Sequence, residues 1–326
     1  MRKLVPRARR SRVSARLCFV TDVHGSERCF KKFLNAGKFY DVQYLILGGD
    51  ITGKTLVPIE RSRGGWWARY NDHEYVDLTE RERDELAQRI RDNGQYPVVG
   101  DRDELLALFA EDRREQTFRE VVVASMRRWM ELADERLAGS GIRCFVNPGN
   151  DDFWEIDDVL RTARSVEFVE GRCVRLGDKY ELITTGYSNI TPWHSPREEE
   201  EDQLARRIDA MFAEVEDPAN LVAVLHCPPR GTELDQAPVV DSELRVKMSG
   251  GDVRMGPVGS TAVSDFIREH QPLLGLHGHV HESKAAQRLG RTLCLNPGSE
   301  YTAGILNCAI VTLYDEAEPE YQFTSG

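Results

Sequence analysis

The sequence predicts an α/β protein whose polar site lies at the ends of neighbouring strands. Five short apolar runs in the 326-residue chain each end in residues that can bind metal: LCFV-TDVHG, YLIL-GGD, RCFV-NPGND, LVAVL-HCPP and PLLGL-HGHVH. Several segments between these runs have helical periodicity, and 40% of the residues are hydrophobic, which is enough for a substantial core. Because the carboxyl ends of neighbouring strands meet above the sheet in such proteins, we expect the polar residues to converge there.

The polar residues at the strand ends form one set of oxygen and imidazole donors. They are Asp22, His24, Asp50, Asn150, His226, His279 and His281. A lone Asp-x-His is more often a turn or a helix cap, whereas a second imidazole two residues after the first is hard to explain by packing. Seven donors exceed what one ion needs, and two ions that share a carboxylate would use them all. The set therefore predicts a binuclear metal site.

The order of these motifs resembles that of the calcineurin-like metallophosphoesterase superfamily, whose motifs run D-x-H, G-D, G-N-[HD], H and G-H-x-H. The resemblance extends from about Leu17 to Tyr314 and is interrupted by one long insertion. It implies a four-layer αββα fold, in which two packed sheets are flanked by helices. It also implies that one ion is held by Asp22, His24 and His281, that the other is held by Asn150, His226 and His279, and that Asp50 bridges the two.

The resemblance implies metal-dependent hydrolysis of a phosphoester. A bridging carboxylate holds two cations about 4 Å apart, and together they lower the pKa of a shared water so that it attacks phosphorus as hydroxide. Mixed oxygen and nitrogen ligation suits Mn, Fe, Zn, Co or Ni, of which we expect Mn. A phosphodiester of a small phosphorylated molecule or a nucleotide is the first choice of substrate. The alternatives are a phosphomonoesterase, a nuclease, and a catalytically weak protein-binding scaffold on the same fold.

The residue after Asn150 departs from the superfamily pattern. Many members carry a histidine there that protonates the leaving oxygen, whereas this chain has Asp151. Two nearby cations would lower the pKa of Asp151 and make it a poor proton donor at pH 7. An equally good role for Asp151 is to accept a hydrogen bond from Asn150 or from a neighbouring imidazole and so to orient it. We expect Asp50, His226 and Asp151 to be the residues closest to the chemistry, with the role of Asp151 open.

Five basic residues near the motifs are candidates for substrate binding. Lys54 lies four residues after Asp50, close to where related protein phosphatases place a phosphate-binding arginine. The loop that follows His226 carries four more, namely Arg230, Arg245, Lys247 and Arg254. Solvated surface charge is the alternative for each of them. This loop, residues 230–259, is rich in Gly, Pro and charge and is predicted to be irregular.

The roughly 100 residues between Asp50 and Asn150 exceed the roughly 30 that a strand-helix-strand crossover needs, which predicts a helical insertion over residues 54–141. Residues 57–75 suggest a hairpin, in which Trp66 and Trp67 either stack on a ligand or anchor the insertion. Thr79 and Glu82 form a capping-box pair ahead of a helix that ends near Asp92. Apolar spacing between residues 103 and 137 predicts one or two further helices. The insertion is either a cap over the site or a packing elaboration.

The remaining elements are predicted from local signals. The stretch EEEEDQLARRIDAMFAEV predicts an amphipathic helix, and Ser260 is expected to cap a helix that ends before Pro272. The segments RTLCLNPGSEY and LNCAIVTLY are predicted to be two strands of a second sheet.

The charge and the cysteine content limit the partners and the cellular compartment that we expect. The chain has 43 basic and 54 acidic residues, a net charge of −11, which argues against a broad nucleic-acid surface. Residues 1–16 contain basic but no acidic residues, which predicts a solvated tail before a domain over 17–326; the alternative is contact with a polyanion such as nucleic acid or a membrane surface. No apolar stretch is long enough to span a membrane. The seven scattered cysteines predict buried thiols in a reducing compartment, and hence a cytoplasmic protein.

Overall fold

The computed structural model describes residues 12–241 and 243–326. Most of the predicted basic tail, residues 1–11, lies outside the described residues, and the first strand already begins at Val13. The elements up to residue 142 are, in chain order, β1 (Val13–Val20), α1 (Glu27–Phe39), β2 (Tyr44–Gly48), β3 (Leu56–Arg61), β4 (Trp66–Tyr70), β5 (His73–Leu78), α2 (Glu80–Asp92), β6 (Tyr96–Gly100), α3 (Arg102–Leu108) and α4 (Arg114–Leu137).

The second half of the chain supplies the remaining elements. They are β7 (Arg143–Asn147), α5 (Glu155–Thr162), β8 (Glu167–Phe168), β9 (Arg172–Leu176), β10 (Tyr180–Thr185), β11 (Ser188–Asn189), β12 (Glu198–Glu199), α6 (Glu201–Phe212), β13 (Leu221–Leu225), β14 (Gln236–Pro238), β15 (Met248–Ser249), β16 (Asp252–Val253), β17 (Met255–Pro257), α7 (Thr261–His270), β18 (Leu274–Leu276), β19 (Ala285–Leu289), β20 (Thr292–Asn296), β21 (Asn307–Tyr314) and β22 (Glu320–Ser325).

Two six-stranded sheets form the centre of the fold. The first sheet has the strand order β22-β21-β1-β2-β7-β8, and the second has the order β19-β20-β18-β13-β10-β9. Strands β1, β2 and β7 run parallel, as do β10, β13, β18 and β20. The carboxyl ends of β1, β2 and β7 therefore share one edge of the first sheet, and those of β13 and β18 share one edge of the second.

The alternation of side chains along β1 explains why the two sheets stack. Leu17 and Phe19 join a core cluster with Val222 and Val224 of β13, whereas Cys18 and its alternate neighbours belong to a cluster with the helices α1, α4 and α5. A third cluster joins the second sheet to α6 and α7. Each fully buried aliphatic or aromatic side chain contributes about 1.5–3 kcal/mol through removal from water. The result is the helix-sheet-sheet-helix arrangement that the sequence predicted.

Residues 54–141 contain strands as well as the expected helices. Strands β3 to β6 form a separate four-stranded sheet in the order β5-β4-β3-β6, which has its own small core together with α2. The predicted capping box is present, because the Thr79 backbone N–H donates to Glu82 Oε2 at 2.9 Å and the Glu82 N–H donates to Thr79 Oγ1 at 3.3 Å. Trp66 is buried in this core, and its Nε1 donates to Glu80.

Helix α4 belongs to the helical layer of the first sheet rather than to the separate sheet. Its buried side chains, among them Met126 and Trp129, pack in the cluster with α1, and the Trp129 ring stacks on Phe30 with a centroid distance of 4.3 Å. Helix α4 therefore carries the chain from the end of β2 back to the start of β7, as a crossover helix does.

Two expectations for the C-terminal third are wrong. The segment LNCAIVTLY, expected in the second sheet, forms β21 of the first sheet, because it pairs antiparallel with β1, for example Leu17 with Val311, and so covers the free edge of that strand. Residues 230–259, expected to be irregular, contain strands β14 to β17, which pair to form an arm, residues 236–241 and 243–257. By contrast, the cap of α7 is confirmed, since Ser260 Oγ accepts from the Val263 N–H at 3.2 Å.

Two further sequence expectations concern membrane insertion and thiols. None of the helices in the described residues combines the length and the apolar character that crossing a membrane requires. All seven cysteines are unpaired thiols; six are buried and Cys173 is half-buried. The thiols thus contribute as small hydrophobic side chains of the core.

Candidate metal centre

All seven predicted donors lie at the carboxyl ends of strands along one edge of the sandwich. Asp22 and His24 follow β1, Asp50 follows β2 and Asn150 follows β7 of the first sheet. The remaining donors, His226 after β13 and His279 and His281 after β18, come from the second sheet. Five of the seven are buried, and His279 and His281 are half-buried. The structure therefore brings together residues that are up to about 260 positions apart in the chain.

The first group of donor atoms comes from Asp22, His24, Asp50 and His281. One ligand atom from each lies within 4.8 Å of the others. His24 Nε2 is 2.9 Å from His281 Nε2 and 3.5 Å from Asp50 Oδ2, and His281 Nε2 is 3.4 Å from Asp22 Oδ1. Ligand atoms held at about 2.0–2.3 Å from one cation have separations in this range. The four residues therefore fit a single divalent ion.

The second group of donor atoms comes from Asn150, His226 and His279, with the other oxygen of Asp50. Asn150 Oδ1 is 3.1 Å from His226 Nε2 and 2.8 Å from His279 Nδ1. His226 Nε2 is 3.4 Å from Asp50 Oδ1. The His226 Nδ1–H donates to the Gly48 carbonyl at 2.9 Å, which orients Nε2 towards the group. Since Asp50 directs one oxygen to each group, the arrangement also fits two ions that share this carboxylate.

Two glycines of the motifs are needed because side chains of the site pass close to the backbone. A Cβ atom at Gly149 would lie 2.1 Å from Asp50 Oδ1. A Cβ atom at Gly278 would lie 2.0 Å from Thr21 Oγ1 and 2.4 Å from Asp22 Oδ2. Contacts this short do not occur between real atoms, so any larger residue would displace the carboxylates. The glycines of the GN and GHxH motifs are thus explained by close approach.

Four of the donors have a left-handed backbone, which is uncommon for residues other than glycine. The φ angles are 53° at Asp22, 39° at His24, 48° at Asp50 and 66° at His279. Such conformations cost of order 1–3 kcal/mol each and persist only where the surroundings enforce them. Surrounding hydrogen bonds supply this constraint: the Asp22 N–H donates to the Gly49 carbonyl, and the His24 N–H donates to the Asp50 carbonyl at 2.9 Å.

Burial and the neighbouring carboxylates shift the pKa values of the histidines in opposite directions. Burial lowers the pKa of His24 to about 3 and that of His279 to about 4, so both imidazoles are neutral and offer a lone pair at pH 7. Although burial opposes it, contact with Asp50 and Asp22 raises the pKa of His226 to about 10. The carboxylates thus stabilise positive charge at the centre of the site, which a bound cation would also supply.

Asp151 lies beside the donors and contacts three groups. Its Oδ1 accepts from Asn150 Nδ2 at 3.2 Å and from Ser195 Oγ at 2.5 Å, and its Oδ2 forms an ion pair with Lys54 Nζ. Although burial raises it, the charge of Lys54 lowers the pKa of Asp151 to about 2. Asp151 is therefore ionised at neutral pH and is arranged to hold Lys54, Ser195 and the side chain of Asn150.

The other four candidate substrate-binding residues are not among the donors. Arg230 follows His226 closely, and its guanidinium donates to the Gly259 carbonyl at 3.3 Å. The remaining three are exposed on the arm, where Arg245 is paired with Asp241 and Glu243. Of the five basic residues, the structure places only Lys54 in contact with a residue adjoining the metal ligands.

Asp152 is a supporting residue to which the sequence assigned no role. It is fully buried and accepts from the backbone N–H groups of Ile51, Thr52 and Gly149 and from the Thr52 hydroxyl, at 2.6–2.9 Å. It thereby joins the loop of Asp50 to the loop of Asn150. Burial and the charge of Asp50 raise its pKa.

Two more supporting residues come from distant parts of the chain. Arg197, also fully buried, donates to the Asp152 carbonyl at 2.9 Å and to Asp157 Oδ1 at 2.6 Å. Ser299, in the NPGS segment, donates from Oγ to the Asp22 carbonyl at 2.6 Å. For Asp152, the sequence signal was a second carboxylate directly after the GN motif. For Arg197, the chain offers no local signal, since nothing nearby in sequence marks a buried cation.

Comparison with known proteins gives one relative by sequence and several by structure. No family model matches the chain. The uncharacterized protein MJ1162 of Methanocaldococcus jannaschii is 27% identical over 152 residues, which are 46% of this chain and 61% of the relative. The chain thus matches about three fifths of the length of that relative.

Among solved structures, TT1561 of Thermus thermophilus superposes with a TM-score of 0.52 at 12% identity, over 97% of this chain and 99% of that one. An archaeal phosphodiesterase gives a TM-score of 0.35 at 11% identity over 95% and 99% of the two chains. YfcE, a phosphoesterase from E. coli, gives 0.33 at 11% identity over 95% and 98%. With two stacked sheets between helical layers, the chain shares its fold with TT1561, and all seven donors lie on one edge of the sandwich.

Proposed function

We propose that the protein is a metal-dependent phosphodiesterase that uses two divalent ions. The observation that carries this proposal is the convergence of seven donor residues in two groups that share Asp50. Asp22, His24 and His281 would hold one ion, and Asn150, His226 and His279 the other. The donor atoms are carboxylate and amide oxygens and imidazole nitrogens, a combination that suits Mn and the neighbouring transition metals.

The ions and the protein supply different parts of the chemistry. When bound, two divalent ions activate water and neutralise charge on the phosphoryl oxygens. Asp50 links the two donor groups, since one of its oxygens lies 3.5 Å from His24 Nε2 and the other lies 3.4 Å from His226 Nε2. The carbonyl of Gly48 fixes the ring of His226. Burial of most of the donors excludes water from all but the outer face of the centre.

Lys54 and Asp151 act at that outer face in this proposal. The ammonium group of Lys54 is about half exposed and is held by Asp151, so it can contact a phosphoryl oxygen without losing its partner. Asp151 is ionised and therefore positions Lys54 and Asn150 rather than donating a proton. A substrate with a good leaving group needs no such donor, whereas one with a poor leaving group does, whether it is a diester or a monoester. The ionised state of Asp151 therefore bears on the leaving group, and the screen below decides the ester class.

An activity screen tests the proposal. Protein loaded with Mn would be given bis(p-nitrophenyl) phosphate, p-nitrophenyl phosphate, cyclic nucleotides and single-stranded DNA, with chelator-treated protein as the control. We expect chelator-sensitive hydrolysis of the diester at a higher kcat/KM than the monoester. Faster hydrolysis of the monoester would indicate a phosphomonoesterase, and cleavage of DNA alone would indicate a nuclease. Retention of metal without hydrolysis of any ester would indicate a binding protein on this fold.

A further inference from the structure

A groove of about 410 Å³ opens beside Lys54, between the segment that follows Asp50 and the start of α4. Its walls include Lys54, Leu56, Glu111, Arg114, Glu115 and Phe118. Small-molecule sites typically occupy about 300–1,000 Å³ and combine apolar walls with a few polar groups. The groove has this size, and the seven metal donors do not line it. Its lining combines two apolar side chains, Leu56 and Phe118, with the charged side chains of Lys54, Glu111, Arg114 and Glu115.

Both walls of the groove are tied to the loops that carry the metal donors. Lys54 is ion-paired with Asp151, next to Asn150. On the opposite wall, the Phe118 ring packs edge-on against Phe153 at a centroid distance of 5.8 Å. Phe153 lies three residues after Asn150. Through Lys54 and Phe118 the groove therefore borders the loop that carries Asn150, and a substrate whose phosphoryl group is bound at the metal centre can extend towards it past Lys54.

The lining residues indicate the class of group that fits. Leu56 and Phe118 are half-buried and present apolar surface, including the face or edge of one aromatic ring. Glu111 and Glu115 are exposed at the other side and carry carboxylate oxygens, which accept hydrogen bonds. Glu115 Oε1 is paired with Arg119 at 2.8 Å, whereas no such ion pair engages Glu111 within the described ranges. An organic group with an aromatic part and a neighbouring hydroxyl matches this pattern.

We propose that the groove binds the nucleoside of a nucleotide ester whose phosphoryl group lies at the metal centre. This inference rests on the proposed function and specifies its substrate. The base packs against Phe118 and Leu56, because every base offers an apolar face for stacking. A sugar hydroxyl donates to Glu111, as carboxylates accept from ribose in other nucleotide sites. Lys54 contacts the phosphoryl group at the junction of the groove and the metal centre.

The test compares two diesters that differ only in the nucleoside. The p-nitrophenyl ester of thymidine 5′-monophosphate and methyl p-nitrophenyl phosphate release the same chromophore, so their kcat/KM ratio isolates recognition of the nucleoside. The variants are Glu111→Ala, which removes the acceptor, and Phe118→Leu. Glu131→Ala serves as the matched control, since Glu131 is exposed on the same helix as Glu115 and roughly 24 Å from it, at 1.5 Å per residue. Binding of thymidine 5′-monophosphate and of inorganic phosphate is measured by calorimetry alongside.

We expect the nucleoside-to-methyl ratio to fall by about fivefold in each groove variant, which corresponds to the loss of about one hydrogen bond or its equivalent in contact. The ratio should change by less than about twofold in Glu131→Ala. Because Phe118 packs against other aromatic rings, its variant could misfold, and Glu111→Ala, a change at an exposed residue, then decides the outcome. An unchanged ratio in Glu111→Ala, or equal binding of thymidine 5′-monophosphate and phosphate to the wild type, would overturn the inference.

The same experiment gives a different result if the proposed function is wrong. If the wild type hydrolyses neither ester but binds thymidine 5′-monophosphate more tightly than phosphate, and Glu111→Ala weakens that binding, the groove is a nucleotide site and the phosphodiesterase proposal is wrong. If both esters are hydrolysed at similar kcat/KM with no effect of the groove variants, the phosphodiesterase proposal stands and the groove does not bind the nucleoside.

Discussion

The two sheets contribute different chemistry to the candidate metal centre. The first sheet provides every oxygen donor, from Asp22, Asp50 and Asn150, together with the imidazole of His24. The second sheet provides imidazoles alone, from His226, His279 and His281. Neither edge holds a complete set for either ion. The complete site therefore exists only while the two sheets are packed against each other. Ion binding and the packing of the sheets must then stabilise each other.

The largest effect should follow from changing the one residue that serves both groups. We expect Asp50→Asn to lower kcat by about 10³-fold or more and to reduce the bound Mn from two ions per chain, because it removes the shared negative charge. Elemental analysis and steady-state kinetics measure both quantities. Asp252→Asn, an exposed change on the arm, is the control. Near-normal turnover with two ions in Asp50→Asn would show that the two groups do not depend on a common carboxylate.

Metal removal tests the linkage between the sheets directly. At a free ion concentration 100 times the Kd, binding stabilises the folded state by about 2.7 kcal/mol per site. For a chain of this size we therefore expect a chelator to lower the Tm by about 5–10 °C. Differential scanning calorimetry with and without chelator gives the shift, and Asp50→Asn should show a smaller one. An identical Tm in both conditions would mean that the sandwich closes without help from the ions.

Asp151 belongs to the first-sheet side, and its substitution separates positioning from proton donation. We expect Asp151→Asn to slow diesters with good and poor leaving groups by a similar factor, about tenfold, because Asp151 is ionised and holds Lys54. The rates for a p-nitrophenyl ester and an alkyl ester provide the comparison. A selective loss with the alkyl ester would identify Asp151 as the general acid. Asp151→His, which introduces the histidine of the superfamily pattern, should raise the alkyl-ester rate.

Lys54, the ion-pair partner of Asp151, allows a test of substrate binding alone. We expect Lys54→Ala to raise KM by about tenfold without loss of bound metal, since in the proposed function its ammonium group contacts the substrate and not the ions. The matched control is Lys38→Ala, an exposed lysine on α1. The basic residues on the arm, substituted together, should have a smaller effect than Lys54. A larger effect from the arm would place the substrate on the second-sheet side.

The smallest effect concerns the chain segment that passes from the first sheet to the second. Burial raises the pKa of Glu170 to about 7 from an ordinary value of 4.5, so between these pH values the folded chain binds more protons than the unfolded chain. Stability should therefore fall as the pH rises from about 5 to 8. We expect Glu170→Gln to show a smaller fall in Tm over this range, measured with metal-free protein. Equal slopes would exclude Glu170 as the source.

The strand-end donors could be predicted because each depends on a local, repeated signal, whereas the sandwich was implied by the resemblance of the motif order to a known superfamily. Each donor follows a short apolar strand, and a strand end is recognisable without knowledge of its neighbours. The assignment of β21 to the second sheet was wrong because the pairing of Leu17 with Val311 is a contact between distant segments. The separate sheet of residues 56–100 was recognised only as a hairpin, since short strands with charged faces resemble loops. Buried Arg197 was missed because charged residues are normally exposed.

Asp152 has one further consequence, for metal selectivity. Because four hydrogen bonds fix the loops of Asp50 and Asn150 to each other, the spacing of these donors is set during folding and does not depend on an ion. A set of donors whose spacing is fixed before an ion binds favours ions whose preferred bond lengths match that spacing. Ions that would have to change the spacing bind less well. Calcium, which prefers more oxygen ligands at longer distances, would thus be disfavoured by the hydrogen bonds of a residue that touches no ion.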